Sequence, residues 1–534
     1  MFKMRTVRTL LATTILAVGM VATAEAKTLV YCLEGSPEGF DPGLYTAGTT
    51  FDASSKPVYN RLVEFERGTT NVIPGLAQSW ETSDDGLTYT FKLRPGVKFH
   101  TTDYFTPTRD LNADDVIFSF ERQRVESEPY FSYVDGASWE YFDGMSMPDL
   151  IDSIEKVDDL TVVFHLKRPE APFLANLAMD FASIMSKEYA DQLAANGQMT
   201  DLNQKPLGTG PFQFVAYQPD AVIRYKAFDD YWGGRQAIDD LVFAITVDNA
   251  VRMQKLVVGE CHVMPYPNPA DVQALKDNPD IAVMEQQGLN VGYLAYNTQM
   301  PPFDNPKVRK ALNMTINKQA ILDAVFQGAG QAAKNPIPPT MWSYNEDVAD
   351  DDYDLDAAKA ILEAEGVSDL KIKIWAMPVQ RPYNPNARRM AEIMQADLAK
   401  IGVEAEIVSY EWGEYLEKAK DVKRDGAVLL GWTGDNGDPD NFLAVLLGCD
   451  GVGGSNRAHW CNEEFEKLIQ DAKVTSNHSE REDLYRQAQV VFKREAPWAT
   501  IAHSVVFMPM SKNVKGYIMD PLGGHWFDGV DIEE

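Results

Sequence analysis

Along the stretch from Leu370 to Trp432 the spacing of apolar residues switches repeatedly between two periods. Leu370 to Met377 (LKIKIWAM) alternates apolar and polar positions, which predicts a half-buried strand. Asn386 to Ile401 changes to a helical period, with Met390, Ile393, Met394, Leu398 and Ile401 on one face and Gly402 as the stop. Val403 to Tyr410 reads as a second strand, Gly413 to Lys420 as a short helix, and Ala427 to Trp432 as a third strand. The expected fold class is therefore α/β, carried by a βαβαβ run.

Upstream, Asn305 caps and Pro306 opens a helix toward Met314, and Asn317 caps another that ends before Gly328. Asp354 to Glu365 predicts a third, with Leu355, Ala358, Ile361 and Leu362 inward. Ser79 to Lys98 reads instead as a hairpin around Asp85-Gly86, and Leu160 to Leu166 (LTVVFHL) as a further strand. No fixed-period repeat interrupts this order. The passage from mixed β, through the Gly-rich Pro206 to Phe212 (PLGTGPF), into α/β predicts lobes joined by crossing segments.

At 534 residues the chain exceeds what one hydrophobic core supports, so at least two domains are expected. Its start has another purpose. Lys3, Arg5 and Arg8 precede an apolar stretch from Leu10 to Ala22 and the small-residue site Ala24-Glu25-Ala26, the pattern of a Sec-type signal peptide over residues 1–26. Cys32 stands beyond that site behind bulky Val30 and Tyr31, so no lipid anchor is expected. The formal net charge of −30 disfavours nucleic acid, polyanionic ligands and anionic membrane surfaces. Four cysteines in an exported chain predict two disulfides, for which three pairings exist. The short Gly-containing interval between Cys449 and Cys461 favours that pair and leaves Cys32 with Cys261.

Candidate chemistry is sparse. None of the seven histidines lies at metal-ligand spacing from another, and no G-x-S-x-G, H-E-x-x-H, P-loop or G-x-G-x-x-G occurs, so neither a metal, a cofactor nor catalysis is expected. The loop Asp435-Asn436-Gly437-Asp438-Pro439-Asp440 fails as a calcium loop, because Gly437 and Pro439 fall where oxygen donors are needed. It does follow the third strand, while Gln380-Arg381-Pro382-Tyr383 follows the first. Ligands of open α/β sheets lie beyond the carboxyl ends of strands, so Arg381 and Asp435 are candidate anchors for a zwitterion. The competing reading pairs them with each other or uses them as helix caps.

The motifs ADDVIFS from Ala113, FKLRPGVKFH from Phe91, GTGPF from Gly208, YCLEGSPEGFDP from Tyr31, MPVQRPYNPNARRMAE from Met377 and GWTGDNGDPDNF from Gly431 carry a resemblance. Over nearly its whole mature length the chain resembles the extracellular peptide-binding proteins of ABC importers, most of all their dipeptide branch. The resemblance implies a three-lobed periplasmic-binding-protein fold (class II-like, cluster C), two mixed α/β lobes clasping the ligand and an extra lobe beside them. The expected segments are 27–60, 209–265 and 505–534 for the first lobe, 61–208 for the second and 266–504 for the third. It also implies disulfides Cys32–Cys261 and Cys449–Cys461, Asp435 at the peptide ammonium, and Arg381 at its carboxylate. Thr46, Pro382, Tyr383, Trp432, Thr433 and Gly434 match further positions of the binding cleft.

The resemblance further implies a periplasmic monomer that hands dipeptides to inner-membrane permease subunits, and leaves a chemoreceptor open as another partner. Haem and glutathione are the alternative cargoes within the family, and a periplasmic peptidase the alternative outside it. Physics favours charged anchors for a free peptide, since burying either terminus unpaired costs several kcal/mol, and a guanidinium matches both carboxylate oxygens better than an ammonium does. Two fixed charges also measure length, because each residue adds about 3.5 Å to an extended ligand. Side chains in roomy pockets are selected weakly. Ligand contacts to both lobes would shift an open form toward a closed one.

Overall fold

A computed structural model describes residues 26–533; the expected signal peptide lies outside the described residues except for Ala26. The run between Leu370 and Trp432 forms strands Lys371–Trp375, Glu404–Val408 and Ala427–Thr433 with helices Ala387–Lys400 and Trp412–Ala419 between them. Lys371–Trp375 is the middle strand and runs parallel to both of the others. The helix Ala387–Lys400 buries Met390, Ala391, Met394 and Leu398, each large apolar side chain contributing about 1.5–3 kcal/mol. Asn386 caps it by accepting from the Arg389 N–H. Asn305, Asn317 and Asp354 cap their helices in the same way. The helix after Asn317 widens into a π-turn over Leu322–Phe326 and closes on a left-handed Gln327. In Leu355–Ala364 only Ala358 and Leu362 are fully buried, and Leu355 and Ile361 lie half-exposed at the edges of that face.

These strands belong to a seven-stranded mixed sheet. Ala427–Thr433 lies antiparallel to Asn290–Tyr296, which is buried at every position, and that strand lies antiparallel to Trp498–Ser511. A four-stranded antiparallel sheet holds the expected hairpin, Ala77–Thr82 with Thr88–Leu93, followed by Thr161–Leu166 and Ile151–Asp158. Another four-stranded sheet joins Thr28–Tyr31 to Asp240–Ala244, Val222–Ala227 and Phe212–Gln218. The N-terminal strand is therefore completed by strands some 200 residues later.

Glycine explains where the chain re-enters that sheet. A Cβ on Gly208 would lie 2.2 Å from the Val58 carbonyl oxygen, and one on Gly210 2.5 Å from the Val58 carbonyl carbon. The Gly210 N–H donates to the same Val58 oxygen at 2.8 Å, so two chain segments cross backbone against backbone. Other crossings lie nearby: Val263 bridges both Tyr31 and Met510. The strand Trp498–Ser511 runs unbroken through position 505, so the joint expected there lies inside a continuous strand. Disulfides link Cys32 to Cys261 and Cys449 to Cys461, leaving no free cysteine.

Candidate ligand-binding site

Four stretches of backbone converge on one cavity. Residues 46–56 follow the N-terminal strand, 381–383 follow Lys371–Trp375, 430–435 end Ala427–Thr433, and 522–524 come from the C-terminal segment; with side chains that include Tyr141, Tyr266, Trp412 and Arg457 they surround about 890 Å³ of space, counting solvent at the mouth. Thr46, Arg381, Pro382, Tyr383, Trp432, Thr433 and Asp435 all line it. Gly434, expected at the cleft, stands behind the wall. Its N–H donates to the Leu289 carbonyl at 2.8 Å, and its Cα packs on Phe442 and Leu289, where a Cβ would lie 2.6 Å from the Phe442 ring.

Two paired glycines shape the cationic end. Gly292 and Gly431 face each other across neighbouring strands. Onto this flattened patch fits Tyr383: a Cβ on Gly431 would lie 2.2 Å from its ring, and one on Gly292 2.3 Å from its carbonyl oxygen. Arg381 and Asn384 exchange backbone hydrogen bonds at 3.2 and 2.9 Å, closing the turn that presents the guanidinium. Arg381 is 6% exposed. Its Nη1 donates to Glu34 Oε1 at 2.6 Å, and its guanidinium stands over the Trp412 and Tyr266 rings at 5.2 and 5.8 Å. Nη2 is buried without a hydrogen-bond partner of good geometry, although Tyr383 stands close enough to feel its charge. Burial would lower the Arg381 pKa, but Glu34, Tyr383 and Tyr266 outweigh it and hold the group charged.

The anionic end differs. Asp435 Oδ2 accepts from the Tyr141 hydroxyl at 2.5 Å, and the Asp435 N–H donates to Asn441 Oδ1 at 2.9 Å. The same Asn441 oxygen receives the Trp432 indole N–H at 2.9 Å, tying the two cavity residues together. No cation lies within ion-pair distance of Asp435 among the described residues. The nearby Lys56 is committed to Asp180 at 2.9 Å. Asp435 keeps some surface toward the cavity, yet enough protein surrounds it that burial, aided by the Asp180 charge, lifts its pKa to about 7. Asp435 thus lacks the ion-pair partner that Asp180 has in Lys56.

Arg381 and Asp435 do not pair with each other, and neither caps a helix. Sequence reasoning missed their actual partners, Glu34 and Tyr141, which lie 347 and 294 positions away. Tyr266, Trp412, Lys56 and Asp180 were likewise not foreseen in the lining. Among the described residues no group of three or more His, Cys, Asp and Glu is arranged to hold a metal ion, and no helix is long and apolar enough to cross a membrane.

Comparisons with known proteins bear on this cavity. The family described as bacterial extracellular solute-binding proteins, family 5, matches residues 71–454. Over 525 residues the chain is 60% identical to the dipeptide-binding protein of Escherichia coli (strain K12), covering 98% of each. It is 50% identical over 518 residues to heme-binding protein A of Haemophilus influenzae (strain ATCC 51907 / DSM 11121 / KW20 / Rd), covering 96% of this chain and 94% of that one. The crystal structure of a dipeptide binding protein from Pseudoalteromonas sp. SM9913 in complex with Met-Leu superposes with a TM-score of 0.92 at 41% identity, covering 95% of this chain and 100% of that one.

Proposed function

Because the chain belongs to the bacterial extracellular solute-binding proteins of family 5, we propose that it is the periplasmic substrate-binding component of an ABC importer and that its cargo is a dipeptide gripped by both charged termini. One observation carries the reading. A half-buried carboxylate with no cationic partner among the described residues, Asp435, and a guanidinium with an unpartnered buried nitrogen, Arg381, face the same space. A free peptide supplies the ammonium one end lacks and the carboxylate the other can accept. The names of the relatives at 60% and 41% identity support the same cargo.

In this reading residues 27–60, 209–265 and 505–534 form one clasping lobe and 266–504 the other, with 61–208 beside them and contributing Tyr141. Thr46 comes from the first, Arg381 to Asp435 from the second, so a bound peptide bridges them and favours closure. The closed protein is what the membrane permease subunits receive. It is exported by a cleaved leader, acts as an unanchored monomer, and performs no chemistry on its cargo.

The heme-binding relative favours a second cargo. Against it, among the described residues no His, Cys or Met lines the cavity, and of the tyrosines that could ligate iron there Tyr141 already donates to Asp435. Calorimetry with a free dipeptide, its N-acetyl derivative, its C-terminal amide and haem decides among them. The expected result is tight binding of the free dipeptide alone; a Soret shift on adding haem, with no heat from dipeptide, would overturn the reading, as would cleavage of the peptide.

A further inference from the structure

Arg381 is not the only buried cation at its end of the cavity. Arg252, on the helix Asn249–Val257, is 0% exposed. Its Nη1 donates to the carbonyls of Thr246 and Val247 at 2.9 and 2.7 Å, its Nη2 reaches Gln380 Oε1 at 3.4 Å, and its Nε has no partner. Gln380 links the two arginines, because Arg381 Nη1 donates to the Gln380 carbonyl at 3.2 Å. Glu34, 3% exposed, has one oxygen on Arg381 and the other buried without a partner. Arg252 senses both neighbours. Burial lowers its pKa most, Glu34 and, more weakly, Tyr31 and Asp248 act against that, and Arg381 adds to it.

Only Arg381 is ion-paired with Glu34; Arg252 feels Glu34 without contacting it, and Asp248, the other carboxylate that acts on it, is exposed to solvent at the helix N-terminus, so among the described residues the buried group is one negative charge short. Asp52, a buried carboxyl group that feels Glu34, does not fill the gap: burial and the Glu34 charge push its pKa well up and favour its neutral form. An uncompensated charge in such a place is costly. We infer that Arg252 is a specificity-determining residue, and that the cavity accepts a ligand carboxylate because Arg252, Glu34 and Arg381 together carry a net positive charge that Arg381 with Glu34 alone would not have. The inference rests on the dipeptide reading and deepens it. The ligand carboxylate turns the cluster into two cations and two anions, and a cargo with a neutral C-terminus leaves it unbalanced. Arg252 does this without lining the cavity, so it acts through Glu34 and Arg381.

The cluster is also drawn from separated segments. Glu34 follows the strand Thr28–Tyr31 and Arg252 follows Asp240–Ala244, its parallel neighbour in one sheet, while Arg381 follows Lys371–Trp375 in another. Carboxylate recognition thus requires the two sheets to be apposed, which places selection for a charged C-terminus in the closed arrangement.

The test is the ratio of affinities for Ala-Leu and its C-terminal amide, measured by calorimetry on the full mature protein. Arg252→Gln should lower this acid-to-amide ratio at least about tenfold. Arg252→Lys, which keeps the charge, should leave it within about threefold, and Glu34→Gln, which raises the positive charge, should increase it. The double variant Arg252→Gln/Glu34→Gln restores the net charge and should bring the ratio back toward that of the unaltered protein. A merely structural Arg252 would weaken acid and amide alike, and a double variant no better than Arg252→Gln alone would overturn the inference. If Arg252→Gln does not fold, the ratio in Glu34→Gln decides, and no increase there overturns it. Failure of the unaltered protein to bind Ala-Leu would instead refute the dipeptide reading.

Discussion

At one end of the cavity Arg381 is held by Glu34 and two aromatic faces, whereas at the other Asp435 has a tyrosine hydroxyl, a backbone-tethering asparagine and no cation. Both ends are buried, but their protonation differs. The guanidinium stays charged because a carboxylate repays its burial. The carboxyl group lacks such a partner and is lifted to about 7. The lesson is that a pocket for a zwitterion need not be symmetric: one pole is stored as an ion pair, the other as a group that holds a proton until its partner arrives. The stored ion pair should be the more rigid anchor, and the proton-holding group the more adjustable one.

Breaking the rigid pole should have the largest effect. Arg381→Ala is expected to cost about 2–5 kcal/mol of dipeptide affinity, because the ligand carboxylate then lies buried beside Glu34 without its cation. Folding without ligand should change little, since Glu34 still has Arg252 nearby. Calorimetry measures the first and a thermal melt the second; a large drop in Tm would mean that the Arg381–Glu34 pair serves the fold. At the other pole Asp435→Asn should cost about 1.5–3 kcal/mol for the free dipeptide, the worth of a hydrogen bond to a charged group. For an N-acetylated dipeptide it should cost much less, and a double-mutant cycle over the four combinations isolates the contact. Strictly additive losses would remove Asp435 from the ammonium and leave it only a loop-holding role.

A smaller effect tests how the rigid pole is built. Gly431→Ala places a methyl group where the Tyr383 ring lies, and overpacking of this kind costs about 1–2 kcal/mol. The turn from Arg381 to Asn384 would shift with the ring. Affinity should fall, while discrimination between free and N-acetylated peptide stays, because Asp435 hangs on Asn441 rather than on Tyr383. Loss of that discrimination would show that the two poles are not independent.

Much of the frame was legible because its signals are local. The caps at Asn305, Asn317, Asp354 and Asn386 and the period changes after Leu370 depend on neighbours within a few residues, and each of them is present. Arg381 and Asp435 were legible as cavity residues for a similar reason: each lies in the loop after a strand, and the two strands pair side by side. Their partners were not. Glu34 and Tyr141 lie 347 and 294 positions away, and no periodicity encodes such contacts. The Gly292–Gly431 patch depends on strand register, which a one-residue slip would destroy. Gly434 was placed at the cleft by its motif, yet its missing side chain serves the packing of Phe442.

The smallest expected effect follows from the adjustable pole and concerns protons. In the free protein Asp435 titrates near 7, chiefly because it is buried. A ligand ammonium stabilises the carboxylate form, so the pKa must be lower in the complex. The complex therefore binds fewer protons than the free protein over the window between the lowered value and about 7, and affinity must rise with pH across that window. A group with pKa 7 is about nine-tenths protonated at pH 6, so affinity at pH 6 should be about sixfold weaker than near pH 7.5, where the peptide ammonium is still mostly charged. Above about pH 7.5 it should fall again, because the peptide ammonium, with a pKa of about 8, begins to lose its own proton. Calorimetry at pH 6 in two buffers of different ionisation enthalpy should report close to one proton released per dipeptide bound, and Asp435→Asn should abolish that release. Arg381→Ala should leave it intact, since the guanidinium does not titrate in this range. Proton uptake on binding, or release that survives in Asp435→Asn, would mean that another group holds the ammonium.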